Sequence, residues 1–320
     1  MRRVYSLIVI LFALAVIANA QNSRATTASS YLQRGNQWLK KGEVEKAIED
    51  YSFALSFDPQ LVQAYSNRGL AREHKGDNEG ALNDYNKALQ LNALNIEVYL
   101  NRGVLFIKLA EYQKAINDCD HVISLNAREV RAWVNRAVAQ HYSGHYDVAF
   151  NDYSQAIKLD SKDAGIWAAR GDVRLQKNDP EGALADCQQA LKIDSRNVIA
   201  WNTRGNVWMK KKDIKRALAD FNKAIDLDPQ QAYLFLSRSR AWLEQNDFDA
   251  AIRDIEQALK LNPAQADAYV HRASAYLLSG KSTEAEADLT RFRKLGGVMK
   301  PELEQVLREA QQKHDGRLKQ

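Results

Sequence analysis

The sequence predicts an all-α protein built from eight tandem helix pairs. A 34-residue period runs through most of the 320 residues without an insertion or deletion. Within each period, side chains recur at the three- and four-residue spacings that place them on one face of a helix. The chain has only 15 glycines and 5 prolines, which is too few for a fold rich in turns. A repeated helix pair is therefore the predicted structural unit.

The first twenty residues differ from the rest and predict an export signal. Arg2 and Arg3 give a positive start, an apolar run covers residues 4–18, and small residues end the segment at Ala20. This combination is typical of a secretory signal peptide. We expect cleavage after Ala20, which removes residues 1–20 and leaves the mature protein in a periplasm or outside the cell.

An uncleaved membrane anchor is the alternative, because no charge lies between Arg3 and Arg24. The apolar run is shorter than the ~20 residues that a spanning helix usually needs, which favours cleavage. Membrane contact is expected only if the segment is retained. Residues 21–27 are polar and are predicted as a short lead-in to the repeats.

The repeats have three positions that hardly vary. Position 4 is aromatic, position 8 is small and position 20 is alanine in every copy. A bulky ring opposite a small residue lets two helices pack closely. The repeats span residues 28–61, 62–95, 96–129, 130–163, 164–197, 198–231, 232–265 and 266–299. The aromatic residues are Tyr31, Tyr65, Tyr99, Trp133, Trp167, Trp201, Phe235 and Tyr269. The small residues are Gly35, Gly69, Gly103, Ala137, Gly171, Gly205, Ser239 and Ala273.

The scheme resembles the tetratricopeptide repeat, which also favours alanine at position 27 and proline at position 32. The resemblance covers residues 28–299. It implies a right-handed superhelical solenoid whose concave groove, lined mainly by first helices, binds peptides, proteins or other copies. Residues 300–320 are predicted as a capping helix and basic tail, since solenoid ends need a solubilising cap.

Two charged positions depart from the family's usual pattern. Position 7 is arginine and position 23 is aspartate in all eight repeats. Because a guanidinium fork matches a carboxylate, we expect a structural ladder of ion pairs between first and second helices. A charged strip that binds a partner is the alternative. The ladder residues are Arg34, Arg68, Arg102, Arg136, Arg170, Arg204, Arg238, Arg272, Asp50, Asp84, Asp118, Asp152, Asp186, Asp220, Asp254 and Asp288.

The positions that line the groove in this family suggest a peptide site in repeats two to four. Asparagine recurs at position 6, and its amide can pair with the backbone of an extended peptide. This resembles the asparagine ladder of the peptide-binding superhelix attached to certain glycosyltransferases. The alternative is that these amides only bond a neighbouring helix. The candidate residues are Asn67, Asn101, Asn135, Leu70, Val104, Val138, Leu100, Val134, Ile107 and Tyr142.

Other functions find less support in the sequence. The repeats leave no room for a catalytic domain, and no cofactor, metal or small-molecule site is expected. Without residues 1–20 the formal charge falls from +5 to +3, which is too small to indicate nucleic acid binding. Cys119 and Cys187 both occupy position 24, two repeats apart, and are predicted as core residues rather than a disulfide.

The predicted function is therefore an exported adaptor that holds a protein or an extended peptide and mediates complex assembly. A self-associating structural protein is the second hypothesis, with the repeat ends or the basic tail mediating assembly. A regulatory subunit of an envelope enzyme is a weaker third. No lysine occurs at position 5 of any repeat, so the family's carboxylate clamp is absent.

Overall fold

The computed structural model describes residues 23–318, which contain helices and turns but no strand. These residues confirm the all-α prediction. The chain forms two compact units that divide between His145 and Tyr146. The predicted signal peptide, residues 1–20, lies outside the described residues. Within residues 23–318, no helix is both long and apolar enough to cross a membrane.

The first unit contains seven described helices in sequential pairs. The first helices α3 and α5 each pack against the second helix of their own repeat and against the second helix of the preceding repeat, and α7 packs against α6. Consecutive first helices also touch one another. The helices are α1 (23–40), α2 (Val44–Phe57), α3 (Val62–Lys75), α4 (Asn78–Leu91), α5 (Ile96–Lys108), α6 (Tyr112–Leu125) and α7 (Val130–Tyr142).

The second unit repeats this packing over the remaining described helices. They are α8 (Tyr146–Leu159), α9 (Ala164–Gln176), α10 (Pro180–Ile193), α11 (Val198–Lys210), α12 (Ile214–Leu227), α13 (Ala232–Glu244), α14 (Phe248–Leu261), α15 (Ala266–Leu278), α16 (Ser282–Lys294) and α17 (Pro301–Leu318). From α3 to α15, each first helix begins at position 1 of the predicted repeat frame.

Local sequence signals set the ends of the helices. The aspartates at position 16 accept a hydrogen bond from a first-turn backbone amide, as Asp77 does from Gly80 at 2.9 Å. Asp179, Asp213 and Asp247 cap their second helices in the same way. The turn between the two helices needs a left-handed residue at position 15, which even Lys212 adopts, with φ of 60°.

The two ends of the chain depart from the regular repeat. Helix α1 begins at residue 23, ahead of the predicted repeat start at Ala28, so most of the polar lead-in is helical. At the other end α17 packs mainly on the first helix α15. Its Leu303 and Ala310 are buried there, which is consistent with the predicted capping role.

The core of each repeat depends on complementary sizes at positions 8 and 24. The rings of Tyr85 and Phe221 are fully buried, and each lies against a glycine. A Cβ atom at Gly69 would lie 2.8 Å from Cε1 of Tyr85, and one at Gly205 would lie 2.5 Å from Cε1 of Phe221. A Cβ at Gly103 would meet nothing closer than 3.8 Å, because the opposing residue is Cys119.

This difference makes the glycines distinguishable by substitution. Gly69→Ala and Gly205→Ala should each lower the free energy of unfolding by about 1–3 kcal/mol, because a buried ring must move. Gly103→Ala should be neutral or should stabilise by up to about 1 kcal/mol, since alanine favours the helix. Urea unfolding followed by circular dichroism measures all three, and a Gly103→Ala loss equal to the others would contradict the packing argument.

Candidate functional site

The arginines at position 7 and the aspartates at position 23 form forked ion pairs inside the repeats. In each of seven repeats, Nε and Nη2 of the arginine donate to the two carboxylate oxygens of the aspartate at 2.6–2.9 Å. These pairs are Arg34–Asp50, Arg68–Asp84, Arg102–Asp118, Arg170–Asp186, Arg204–Asp220, Arg238–Asp254 and Arg272–Asp288. In the fourth repeat, Asp152 is buried and Arg136 forms an ion pair with Asp120.

In four of these seven repeats, the remaining guanidinium nitrogen also donates a hydrogen bond to the preceding repeat. Nη1 of Arg68 donates to Oγ of Ser52 at 3.0 Å, and Nη1 of Arg238 donates to Oδ1 of Asn222 at 2.7 Å. The guanidinium of Arg204 also lies 4.5 Å from the ring centroid of Trp201, one turn earlier on its own helix. An arginine that makes both the fork and the contact to the preceding repeat links three helices.

Burial separates the first arginine from the others. The Arg34 side chain is 57 % exposed, because the described residues include no repeat before α1, whereas Arg204 is 22 % exposed. The hydrogen bond to Asp220 raises the pKa of Arg204. The described geometry therefore gives these charges an architectural role.

The three asparagines at position 6 lie on α3, α5 and α7, which are neighbouring first helices, but they differ in availability. Nδ2 of Asn67 donates to Oδ1 of Asn36 at 2.7 Å, and Oδ1 of Asn67 accepts from Nε2 of Gln63 at 2.9 Å. Both ends of the Asn67 amide are thus engaged. Among the described residues, Asn101 and Asn135 have no side-chain hydrogen-bond partner.

The residue at position 9 of the preceding repeat explains the difference. Asn36 holds that position for Asn67 and supplies an acceptor. Leu70 holds it for Asn101, and Val104 holds it for Asn135, and neither side chain can form a hydrogen bond. The amides of Asn101 and Asn135 are therefore left for solvent or for a ligand.

The predicted apolar residues of the groove divide into accessible and buried ones. Val104 is 44 % exposed and Tyr142 is 64 % exposed, with the Tyr142 ring stacked on Tyr112 at 5.8 Å. Leu70, Ile107, Val134 and Val138 are half-buried. Leu100 is only 3 % exposed and packs on Val122 and Ala132, so its predicted contact with a ligand is wrong.

The second unit carries a groove that sequence analysis missed. A cavity of about 290 Å³ lies among α11, α13, α15 and α17, and a second of about 380 Å³ lies among α9, α11 and α13. Met209, Arg240 and Glu244 line both. Met209 occupies position 12 of repeat six, and Arg240 and Glu244 occupy positions 9 and 13 of repeat seven, which are groove positions in the family. Examination of those positions in every repeat would have found them.

The cysteines and histidines do not form a reactive site among the described residues. Cys119 and Cys187 are fully buried and are not disulfide-bonded, and burial raises the pKa of Cys187 to about 12. In residues 23–318, no group of three or more His, Cys, Asp and Glu side chains is arranged to hold a metal ion.

Sequence models described as the tetratricopeptide repeat match most of the chain. The matches cover residues 35–76, 74–110, 96–129, 139–198, 198–231 and 236–296. They extend over all eight predicted repeats. A comparison with curated proteins found no match.

Solved structures share this fold at low sequence identity. A tetratricopeptide repeat protein from Parabacteroides merdae has 18% identity and a TM-score of 0.68, over 82% of this chain and 99% of that one. The Cut9–Hcn1 hetero-tetramer of APC/C contains a chain with 18% identity and a TM-score of 0.65, over 83% of this chain and 52% of that one. The pilF protein of Pseudomonas aeruginosa has 17% identity and a TM-score of 0.59, over 69% and 99%.

The buried ion pairs lead to a stability prediction. Arg204→Gln should lower the free energy of unfolding by about 1–3 kcal/mol, because the Asp220 carboxylate would stay buried without its cation. The double variant Arg204→Met, Asp220→Leu should recover much of that loss. Arg253→Gln, an exposed residue of α14 with no partner among the described residues, is the matched control. Equal unfolding midpoints in urea for Arg204→Gln and the control would contradict an architectural role.

Proposed function

This chain belongs to the tetratricopeptide repeat family, and from that premise we propose that it is a scaffold holding an extended peptide or protein segment on the first-helix face of its first unit. The family consists mainly of non-catalytic proteins that mediate protein–protein interaction. The candidate surface is made by α3, α5 and α7. Its ligand would contact Asn101, Asn135, Val104 and Tyr142.

The observation that carries this proposal is the pair of unpaired amides on adjacent helices. Each amide offers one acceptor and two donors at a repeating interval, which suits the alternating N–H and C=O groups of an extended backbone. The exposed side chains of Val104 and Tyr142 lie on the same helices and supply apolar contact. A large ring exposed over most of its surface is typical of interface anchors.

The similar structures support a protein partner. Cut9 is solved as a hetero-tetramer with Hcn1, so a protein of this fold can be isolated with a partner bound. Arg204 and its equivalents pair with aspartates inside the repeats. The positions that face the first-helix surface are therefore free to differ between repeats, which also favours binding of a protein partner there.

We also propose that the scaffold acts outside the cytoplasm. The support is the positive start, the short apolar run and the small residues that end at Ala20. The mature protein would then begin at Gln21, just before the start of α1 at residue 23.

The peptide site is tested with paired double variants. Asn101→Ala, Asn135→Ala should lose the proteins that the full chain retains in a pull-down, because both amides lack a hydrogen-bond partner among the described residues and would pair with the ligand. Asn83→Ala, Asn117→Ala is the control, since both asparagines are exposed at position 22 of second helices in repeats two and three. Partners are identified by mass spectrometry.

Asn67→Ala separates binding from packing. Because Asn67 is engaged by Asn36 and Gln63, this change should lower the unfolding midpoint more than it changes partner retention. Equal retention by the wild-type chain and the Asn101→Ala, Asn135→Ala variant, with both folded, would refute the proposed surface.

Export is tested by the mass of the protein recovered from its host. The expected mass is that of residues 21–320 in a soluble extracytoplasmic fraction. Ala20→Lys should block processing and leave the full-length chain in the membrane fraction, because a signal peptidase accepts only small residues there. A wild-type chain recovered at full length in the membrane would support the anchor, and one recovered at full length in the cytoplasm would refute export.

A further inference from the structure

The groove of the second unit is continuous across two cavities. The cavity of about 290 Å³ and the cavity of about 380 Å³ share the walls formed by Met209, Arg240 and Glu244. Each is at or near the lower end of the range for small-molecule pockets, roughly 300–1,000 Å³. The pair suits successive side chains of a bound chain better than one large cofactor.

Two nitrogen-bearing side chains in the smaller cavity lack partners. Arg240 makes no ion pair or hydrogen bond with the described residues, unlike the arginines at position 7. His271 lies on the next first helix, α15, and also has no hydrogen-bond partner among the described residues. Burial and the nearby charge of Arg240 lower the pKa of His271, so the ring is mainly neutral at pH 7.

The acidic side chains of the groove are already engaged. Glu244 accepts from Nζ of Lys212 at 3.4 Å, and Oε1 of Glu309 accepts from Nε2 of Gln305 at 2.9 Å. Arg240 and His271 are therefore the polar side chains of this cavity that a ligand could pair with. Leu243, Leu278 and Val306 supply the apolar part of the wall.

We propose that this groove binds an acidic side chain of an extended peptide. The carboxylate pairs with the guanidinium of Arg240 and accepts a hydrogen bond from His271, and an adjacent apolar side chain rests on Leu243, Leu278 and Val306. The site lies in the second unit and does not depend on the surface of α3, α5 and α7.

The position of Arg240 and the charges around it indicate which kind of anionic group the groove binds. Because Arg240 faces both cavities, a chain bound there continues past it, which favours a side-chain carboxylate over the end of a chain. Glu244 and Glu309 line the same cavity and would repel a phosphate dianion more strongly than a carboxylate, which favours a singly charged group.

The test begins with a phage-displayed library of random linear peptides selected on the full chain. The enriched sequences should share an aspartate or glutamate beside an apolar residue. One such peptide is then synthesised with an amidated C-terminus, and its Kd is measured by fluorescence anisotropy. Replacing its acid by the corresponding amide should weaken binding by about tenfold or more.

Variants of the chain assign the site. Arg240→Gln and His271→Gln should each weaken binding of this peptide, with the larger effect from Arg240→Gln because it removes a full charge. Arg253→Gln, the exposed arginine on α14 of the same repeat, should bind as the wild type does. Asn101→Ala, Asn135→Ala should also bind normally, so a failure of the first-unit surface would be seen separately.

The pH dependence gives an independent readout. The charged groups near His271 are Arg240 and Glu244 on α13, Asp267 on its own helix and Glu309 on α17. A bound carboxylate offsets Arg240 and raises the pKa of His271, so binding should tighten as the pH falls from about 8 to about 6. His271→Gln should remove this dependence.

Several outcomes would overturn the proposal. They are a library that enriches no peptide or peptides without a shared acid, an amide analogue that binds equally well, and unchanged binding by Arg240→Gln. Binding that requires a free C-terminus would assign the groove to a terminal carboxylate and would also overturn it.

Discussion

A pair of 14-residue helices cannot bury both of its faces, so each repeat depends on its neighbour, and the position-7 arginine makes that dependence specific. Arg68 binds the Asp84 carboxylate in a fork and uses its last donor on Ser52 of the preceding repeat. Removing such a carboxylate from water is costly unless its hydrogen bonds are replaced. Arg68 and Arg72 of the same repeat replace them, and the contact from Arg68 to Ser52 then ties this helix pair to the preceding repeat.

Some positions of each repeat are used for packing and others face the first-helix surface, and a binding site can form only from the second set. Positions 4, 7, 8, 20, 23 and 24 hold rings, small residues, core side chains and the ion pair, so they are used for packing within the repeat. Positions 6, 9 and 13 of the first helices do not take part in this repeated packing. In the first unit they hold Asn101, Asn135 and Val104, while in the second they hold Arg240, Glu244 and His271. One scaffold thus presents two surfaces of different chemistry.

The repeat frame and the all-α class were predictable because the pattern recurs eight times, and the four aspartate caps at Asp77, Asp179, Asp213 and Asp247 were predictable because they are local. Accessibility was not predictable in the same way. Leu100 was expected in the groove but lies in the core between Val122 and Ala132, because side-chain direction depends on how neighbouring helices cross. The cavity at His271 needs α17, and its docking on α15 rather than in regular repeat order is a tertiary contact that no local pattern specifies.

The asparagines show how a repeat can create a site without changing the residue that forms it. Asn67, Asn101 and Asn135 are identical in type and repeat position, yet only the first is satisfied, because only the first faces another asparagine. Leu70 and Val104 hold the equivalent position before Asn101 and Asn135, so the amides of these two asparagines have no side-chain partner among the described residues. An unpaired amide exposed to water costs little, whereas one buried by a ligand must be paired. Any ligand that covers Asn101 and Asn135 must therefore supply donors and acceptors of its own, which an extended backbone does at every residue.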